Sequence, residues 1–258
     1  PYSISVFFKA FGVNDFAVIA TSFTFFLLSL LFTYLLAKQV YKDKLVAILS
    51  TMAVGFNYSL INYATSGASE SPFIFQLVAG TYFFSLKKRW SNILGLLFMI
   101  LMYITRPQAI IYIFGLILYY FLSNFTWKKG LFYSFIAFVC GTTLYTLFSK
   151  QGLVAVNQNA TTEVLRGVTR DFNSIILIKK VFYNLYNFYK SIPEILSPYL
   201  FTLFVLGIFR KLSQFNIFVI FITILAFLIT ALTIPFYRYI HPVVPFVYII
   251  AVATLSEI

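Results

Sequence analysis

Apolar runs of membrane-crossing length, separated by short polar connections, make up most of this sequence. Residues 16–37 form a stretch of 22 residues, enough for one helical crossing of a bilayer core about 30 Å thick. Residues 45–64 return, and 66–86 cross again after the small polar turn Ser66-Gly67-Ala68-Ser69-Glu70-Ser71-Pro72. Residues 91–104 are shorter and stop at Thr105-Arg106-Pro107, 108–122 lead into Lys128-Lys129, and 130–148 go back. Residues 199–209, 215–234 and 243–256 complete about nine crossings by the length rule. The pattern predicts an all-α fold, a polytopic transmembrane helical bundle forming a single domain over residues 1–258. Residues 1–15 are too short to span, and Tyr2, Ile4, Val6, Phe7 and Phe8 suit a segment lying in the interface. Residues 150–198 are the one long hydrophilic stretch, in which 175–189 place apolar residues at helical spacing, as in an amphipathic helix resting on a membrane.

Positive charge orients these segments. Basic clusters fall at Lys38/Lys42/Lys44, Lys87-Lys88-Arg89, Lys128-Lys129 and Arg210-Lys211, in every second connection. The connections between them carry few positives: Arg106 in one, Arg238 in another, none from Ser66 to Pro72. This is the positive-inside distribution, which puts the basic loops in the cytoplasm and residues 150–198 on the outer face. The lysine-rich inner loops read as topology signals. Counting back places Pro1 outside, with no methionine or signal-like segment before it, so an upstream helix and a first outer loop are expected to precede residue 1.

Composition agrees. The chain is 61% hydrophobic and 10% charged, with a mean hydropathy of +0.91, whereas a soluble domain carries about a quarter charged residues. The net charge of +12 does not point to nucleic acid, because the aromatics lie inside long apolar runs. Anionic membrane lipids or a phosphate-bearing substrate fit it better. One cysteine, Cys140, and one histidine, His241, exclude an internal disulfide framework and a Cys- or His-cluster metal centre.

Polar residues with chemical capacity gather on the predicted outer side, which points to a reaction site there. Glu70 opens a predicted helix, where it either complements the helix dipole or lines an outer cavity and ligates a metal or an acceptor hydroxyl. Arg106 lies between two short apolar segments and before Pro107; it either snorkels to the interface or meets an anion below the surface. Arg238-Tyr239-Ile240-His241-Pro242 stands between Pro235 and Pro245, a backbone that resists continuous helix. The guanidinium of Arg238 suits phosphate oxygens, with interfacial anchoring as the plainer reading. His241, without a companion His or Cys, is a poor metal ligand.

Several of these segments resemble the integral-membrane glycosyltransferases of the GT-C type, in the superfamily of protein mannosyltransferases and aminoarabinose transferases. The stretch from Pro1-Tyr2 to Phe11-Gly12 and the crossing ending Tyr34-Leu35-Leu36-Ala37-Lys38 are similar to that family's early part. Tyr63-Ala64-Thr65-Ser66-Gly67-Ala68-Ser69-Glu70 looks like its second outer loop, and Thr105-Arg106-Pro107-Gln108 like its "T-R-P-E" junction, with Gln108 in place of the frequent glutamate. Arg238-Tyr239-Ile240-His241-Pro242-Val243-Val244-Pro245 resembles the late "R-Y-x-x-P-x-x-P" element.

The resemblance implies transfer of a sugar from a polyprenyl-phosphate carrier to a glycan, lipid or protein acceptor on the outer face of a cell membrane, in a prokaryotic envelope. It implies inverting or retaining displacement at the anomeric carbon, and is compatible with a divalent metal without requiring one. The family's acidic motif would fall before residue 1, so the chain reads as N-terminally truncated, with Glu70 as the second choice of base. Arg106, Arg238, Arg166 and Arg170 are then the candidates for the donor phosphate, and Glu70, Tyr239 and His241 for the substrate cavity. The rival is a polytopic transporter or flippase of a lipid-linked or anionic substrate. It would carry polar residues through the membrane middle and on both faces, where this sequence offers loop lysines on the inner side.

Overall fold

The computed structural model describes residues 2–106, 109–123, 174–210, 212–232 and 239–258. These residues form helices and no strand: α1 (Tyr2–Phe11), α2 (Asp15–Tyr41), α3 (Lys44–Gly55), α4 (Tyr58–Thr65), α5 (Glu70–Ser85), α6 (Arg89–Thr105), α7 (Ala109–Ser123), α8 (Ser174–Ile195), α9 (Pro198–Arg210), α10 (Gln214–Leu232), a 3-10 turn (His241–Val243) and α11 (Val244–Ser256). The all-helical expectation holds for them.

Local chemistry sets the boundaries. The Asn14 side chain accepts from the Ala17 N–H at 2.7 Å and starts α2, satisfying one of the helix's orphan donors. Asp43 caps α3 in the same way through the N–H groups of Leu45 and Val46, at 2.7 and 3.4 Å. Gly67 turns the α4–α5 connection at φ +72°, hard against Val18 of α2, where an added Cβ would stand 2.5 Å from the valine Cγ1.

Helix α5 is the centre of the first half. Thirteen of its 16 residues are buried, and α2, α6 and α7 pack around it. It runs antiparallel to α2: Ser22 Oγ donates to the Ala68 carbonyl near one end, and Gln39 Nε2 to the Ser85 carbonyl near the other. Stacked and edge-on rings of Phe32, Phe75, Phe83 and Phe98 tie α2, α5 and α6 together. In the second half α11 is buried from Val244 to Thr254 and packs against α9 and α3. Van der Waals fit holds such apolar faces together where lipid competes equally for them.

The crossings differ from those read off the sequence. Among the described residues one helix, α2, is long and apolar enough to cross a membrane by itself. The stretch 45–64, expected as one crossing, is two helices, α3 and α4, bent by 61°, which raises the number to two when counted as one broken span. The break is held by Asn57, whose Oδ1 accepts from the Leu60 N–H at 3.0 Å to start α4. Its Nδ2 donates to the Ile195 carbonyl at 2.9 Å and to Tyr248 Oη at 3.0 Å. Helices α6, α7, α9 and α11 are shorter apolar helices, so the described residues do not confirm nine crossings. The stretch expected at 91–104 extends to Arg89–Thr105, the 1–15 segment holds a ten-residue helix, and 175–189 lengthens to Ser174–Ile195. The expected crossing at 130–148 lies outside the described residues.

The basic connections meet at one end of the bundle. Gln39 touches Ser85, Tyr41 Oη donates to Asn216 Oδ1 at 3.2 Å, and Arg210 reaches Glu257. Lys38, Lys42, Lys44, Lys87–Arg89 and Arg210 therefore share that end. Ser66–Glu70, Arg106 and His241 lie toward the other.

Candidate functional site

Glu70 is the first residue of α5, and Ser69 before it makes no side-chain cap. A carboxylate there faces the positive pole of the helix. Arg106 ends α6 with φ −149° and ψ 133°, the extended backbone that the residue before a proline adopts. That bend carries the guanidinium to α5, where Nη2 donates to Glu70 Oε1 at 2.8 Å. Arg106 is 9% exposed and Glu70 3%. Glu70 thus stands in the first turn of α5 as its dipole reading expects, and the anion expected for Arg106 is this carboxylate, 36 residues upstream. A guanidinium carries five N–H donors, so one bond to Glu70 leaves others for a second anion.

Phe73, one turn along α5, meets the Tyr112 ring of α7 edge-on at 5.5 Å between centroids. The Tyr112 hydroxyl donates to the Tyr239 carbonyl and so fixes the segment that leads to the 3-10 turn. His241 is buried in that turn, and the ring of Tyr63 from α4 stands perpendicular to it, 4.8 Å away and at 86°. The Tyr63 hydroxyl lies 3.5 Å from His241 Nδ1. The 3-10 turn itself packs on α5. Five elements, α4, α5, α6, α7 and the 3-10 turn, thus bring Glu70, Arg106, Tyr239 and His241 to one end of the bundle.

Arg166, Arg170 and Arg238 lie outside the described residues. Among the described residues no group of three His, Cys, Asp or Glu side chains is placed to hold a metal ion. Sequence reading missed Tyr112 altogether, because it sits unmarked in an apolar run. It also missed the pairing of Glu70 with Arg106, for which a signal existed: the chain has only seven acids, and Glu70 stands on the same predicted side as Arg106.

Residues 1–150 match the family model described as dolichyl-phosphate-mannose-protein mannosyltransferase, more than half of the chain. No curated protein and no solved structure matches it. Glu70, Arg106 and Tyr112 fall inside the matched region, and Tyr239 and His241 outside it.

Proposed function

Because this chain belongs to the dolichyl-phosphate-mannose-protein mannosyltransferase family, which makes it a membrane glycosyltransferase of the GT-C type, we propose that it takes a sugar from a polyprenyl-phosphate carrier and passes it to an acceptor on the outer face of the membrane. The observation that carries this reading is the buried Glu70–Arg106 pair, inside the matched region and away from the basic end of the bundle.

In the proposed reaction the acceptor hydroxyl oxygen bonds to the anomeric carbon and the bond from that carbon to the phosphate oxygen breaks. The hydroxyl proton passes to a carboxylate, and the lipid phosphate leaves with the bonding pair. A general base acts within about 3 Å of the proton it takes. Glu70 is the buried carboxylate at this end among the described residues, 2.8 Å from the Arg106 guanidinium. Negative charge grows on the departing phosphate, which calls for cations held in advance. Arg106 supplies one, and Arg238, one residue before the anchored Tyr239 in sequence, a second; Arg166 and Arg170 of the hydrophilic stretch 150–198 are the further candidates. The lipid tail then lies between helices, which suits a site at membrane depth.

Donor chemistry tests the reading. The protein in lipid nanodiscs, given polyprenyl-phosphate mannose labelled in the sugar, should release polyprenyl phosphate and transfer the label to an acceptor alcohol. Movement of the intact lipid-linked sugar across a proteoliposome bilayer, with the carbon–phosphate ester bond never broken, would instead establish the transporter reading.

A further inference from the structure

We propose that the basic end of the bundle carries a site for the headgroup of an anionic phospholipid, seated on the adjoining C-terminal ends of α2 and α5. Two lysines hold left-handed backbone there, Lys42 at φ 58° and Lys87 at φ 56°, and they are the only non-glycine residues with positive φ among the described residues. That conformation brings Cβ against the following carbonyl, so glycine is the usual occupant just past a helix. Both lysines stand at such a helix end: the Lys42 N–H donates to the Lys38 carbonyl at 3.0 Å and the Lys87 N–H to the Phe84 carbonyl at 3.3 Å. The two ends adjoin through the bond from Gln39 to the Ser85 carbonyl, and Lys42 Nζ donates to Gln39 Oε1 at 3.0 Å.

Lys88 and Arg89 add two exposed cations beside them. None of these four side chains forms an ion pair with a described carboxylate: Glu257 pairs with Arg210, and Asp43 caps α3. Trp90 follows, 78% exposed, and an exposed indole beside basic residues marks headgroup level in a membrane protein. Farther along α2, Phe23, Leu27 and Leu31 expose an apolar row at a spacing of four residues, a track for acyl chains. Helix-dipole complementation explains cations near these ends, but not cations on the two positions that glycine would fill without strain. A phosphodiester headgroup explains both, because it needs several ammonium and guanidinium donors converging at that depth.

Thermal unfolding in a neutral maltoside detergent tests the site. Phosphatidylglycerol should raise the midpoint of the wild-type protein by about 4 °C or more, and phosphatidylcholine or inorganic phosphate should not. The Lys42→Gly/Lys87→Gly variant should unfold at or above the wild-type midpoint without anionic lipid, since glycine relieves the backbone, yet lose more than about half of the phosphatidylglycerol increment. Lys42→Arg/Lys87→Arg should keep the increment. A full increment in the glycine variant overturns the proposal, as does an equal rise with inorganic phosphate. A lower midpoint of the glycine variant without lipid overturns it too, because the lysines would then serve the fold.

Discussion

Arg106 and Glu70 form a buried ion pair, Nη2 to Oε1 at 2.8 Å, joining the end of α6 to the start of α5. Among the described residues neither has another ion-pair partner, so removing one strands the other away from water. Arg106→Ala or Glu70→Ala should each cost about 3–5 kcal/mol of stability, and the double substitution less than the sum of the two. A double-mutant cycle of unfolding in detergent measures this. Additive losses would mean that the two side chains do not depend on one another.

Asn57 does three things at the α3–α4 break: it caps α4, holds the end of α8 and bonds Tyr248. Asn57→Ala should therefore cost about 2–3 kcal/mol and speed amide exchange at both α4 and the α8–α9 junction. Hydrogen exchange read by mass spectrometry separates this from a local effect, in which only α4 would open.

Gly207 lets α9 lie directly on α11; an added Cβ would stand 2.1 Å from Thr254 Oγ1 and 3.1 Å from Ile250 Cγ2. Gly115 is as close to Ile222 between α7 and α10. Alanine at either should destabilise by about 1–3 kcal/mol through overpacking, although it favours the helix intrinsically. Unchanged melting of Gly207→Ala would contradict the close packing.

Exposed Ser66 and Lys88 lie toward opposite ends of α5. Single cysteines there, in a Cys140→Ala background, should react with a membrane-impermeant maleimide from opposite sides of sealed vesicles. Reaction of both from one side would remove the outward-facing site along with the topology.

The sequence made the all-α class legible because charge alternation and apolar length act along the whole chain, and most helix ends fall within a few residues of the predicted ones. The α3–α4 break was not legible, since it depends on Asn57 meeting Ile195 and Tyr248, more than a hundred residues away. Glu70, Arg106 and His241 stood out as polar residues at apolar ends. The tyrosines around them did not: Tyr63, against His241, and Tyr112, bonded to the Tyr239 carbonyl, are ordinary tyrosines in an aromatic-rich chain, and only the packing of α4, α5 and α7 gives them roles.

The measurement that bears most directly on the proposed function is the affinity of the nanodisc-held protein for a polyprenyl-phosphate sugar. Arg238→Ala should weaken donor binding about tenfold or more, the loss of one charge-assisted contact of roughly 1.5–3 kcal/mol. Arg106→Lys, which keeps the charge opposite Glu70 but not the planar fork, should weaken it by a smaller factor. Lys211→Ala, the residue after Arg210 in sequence, should leave it unchanged. Equal weakening by all three, or by none, would contradict a donor-phosphate site built on these arginines.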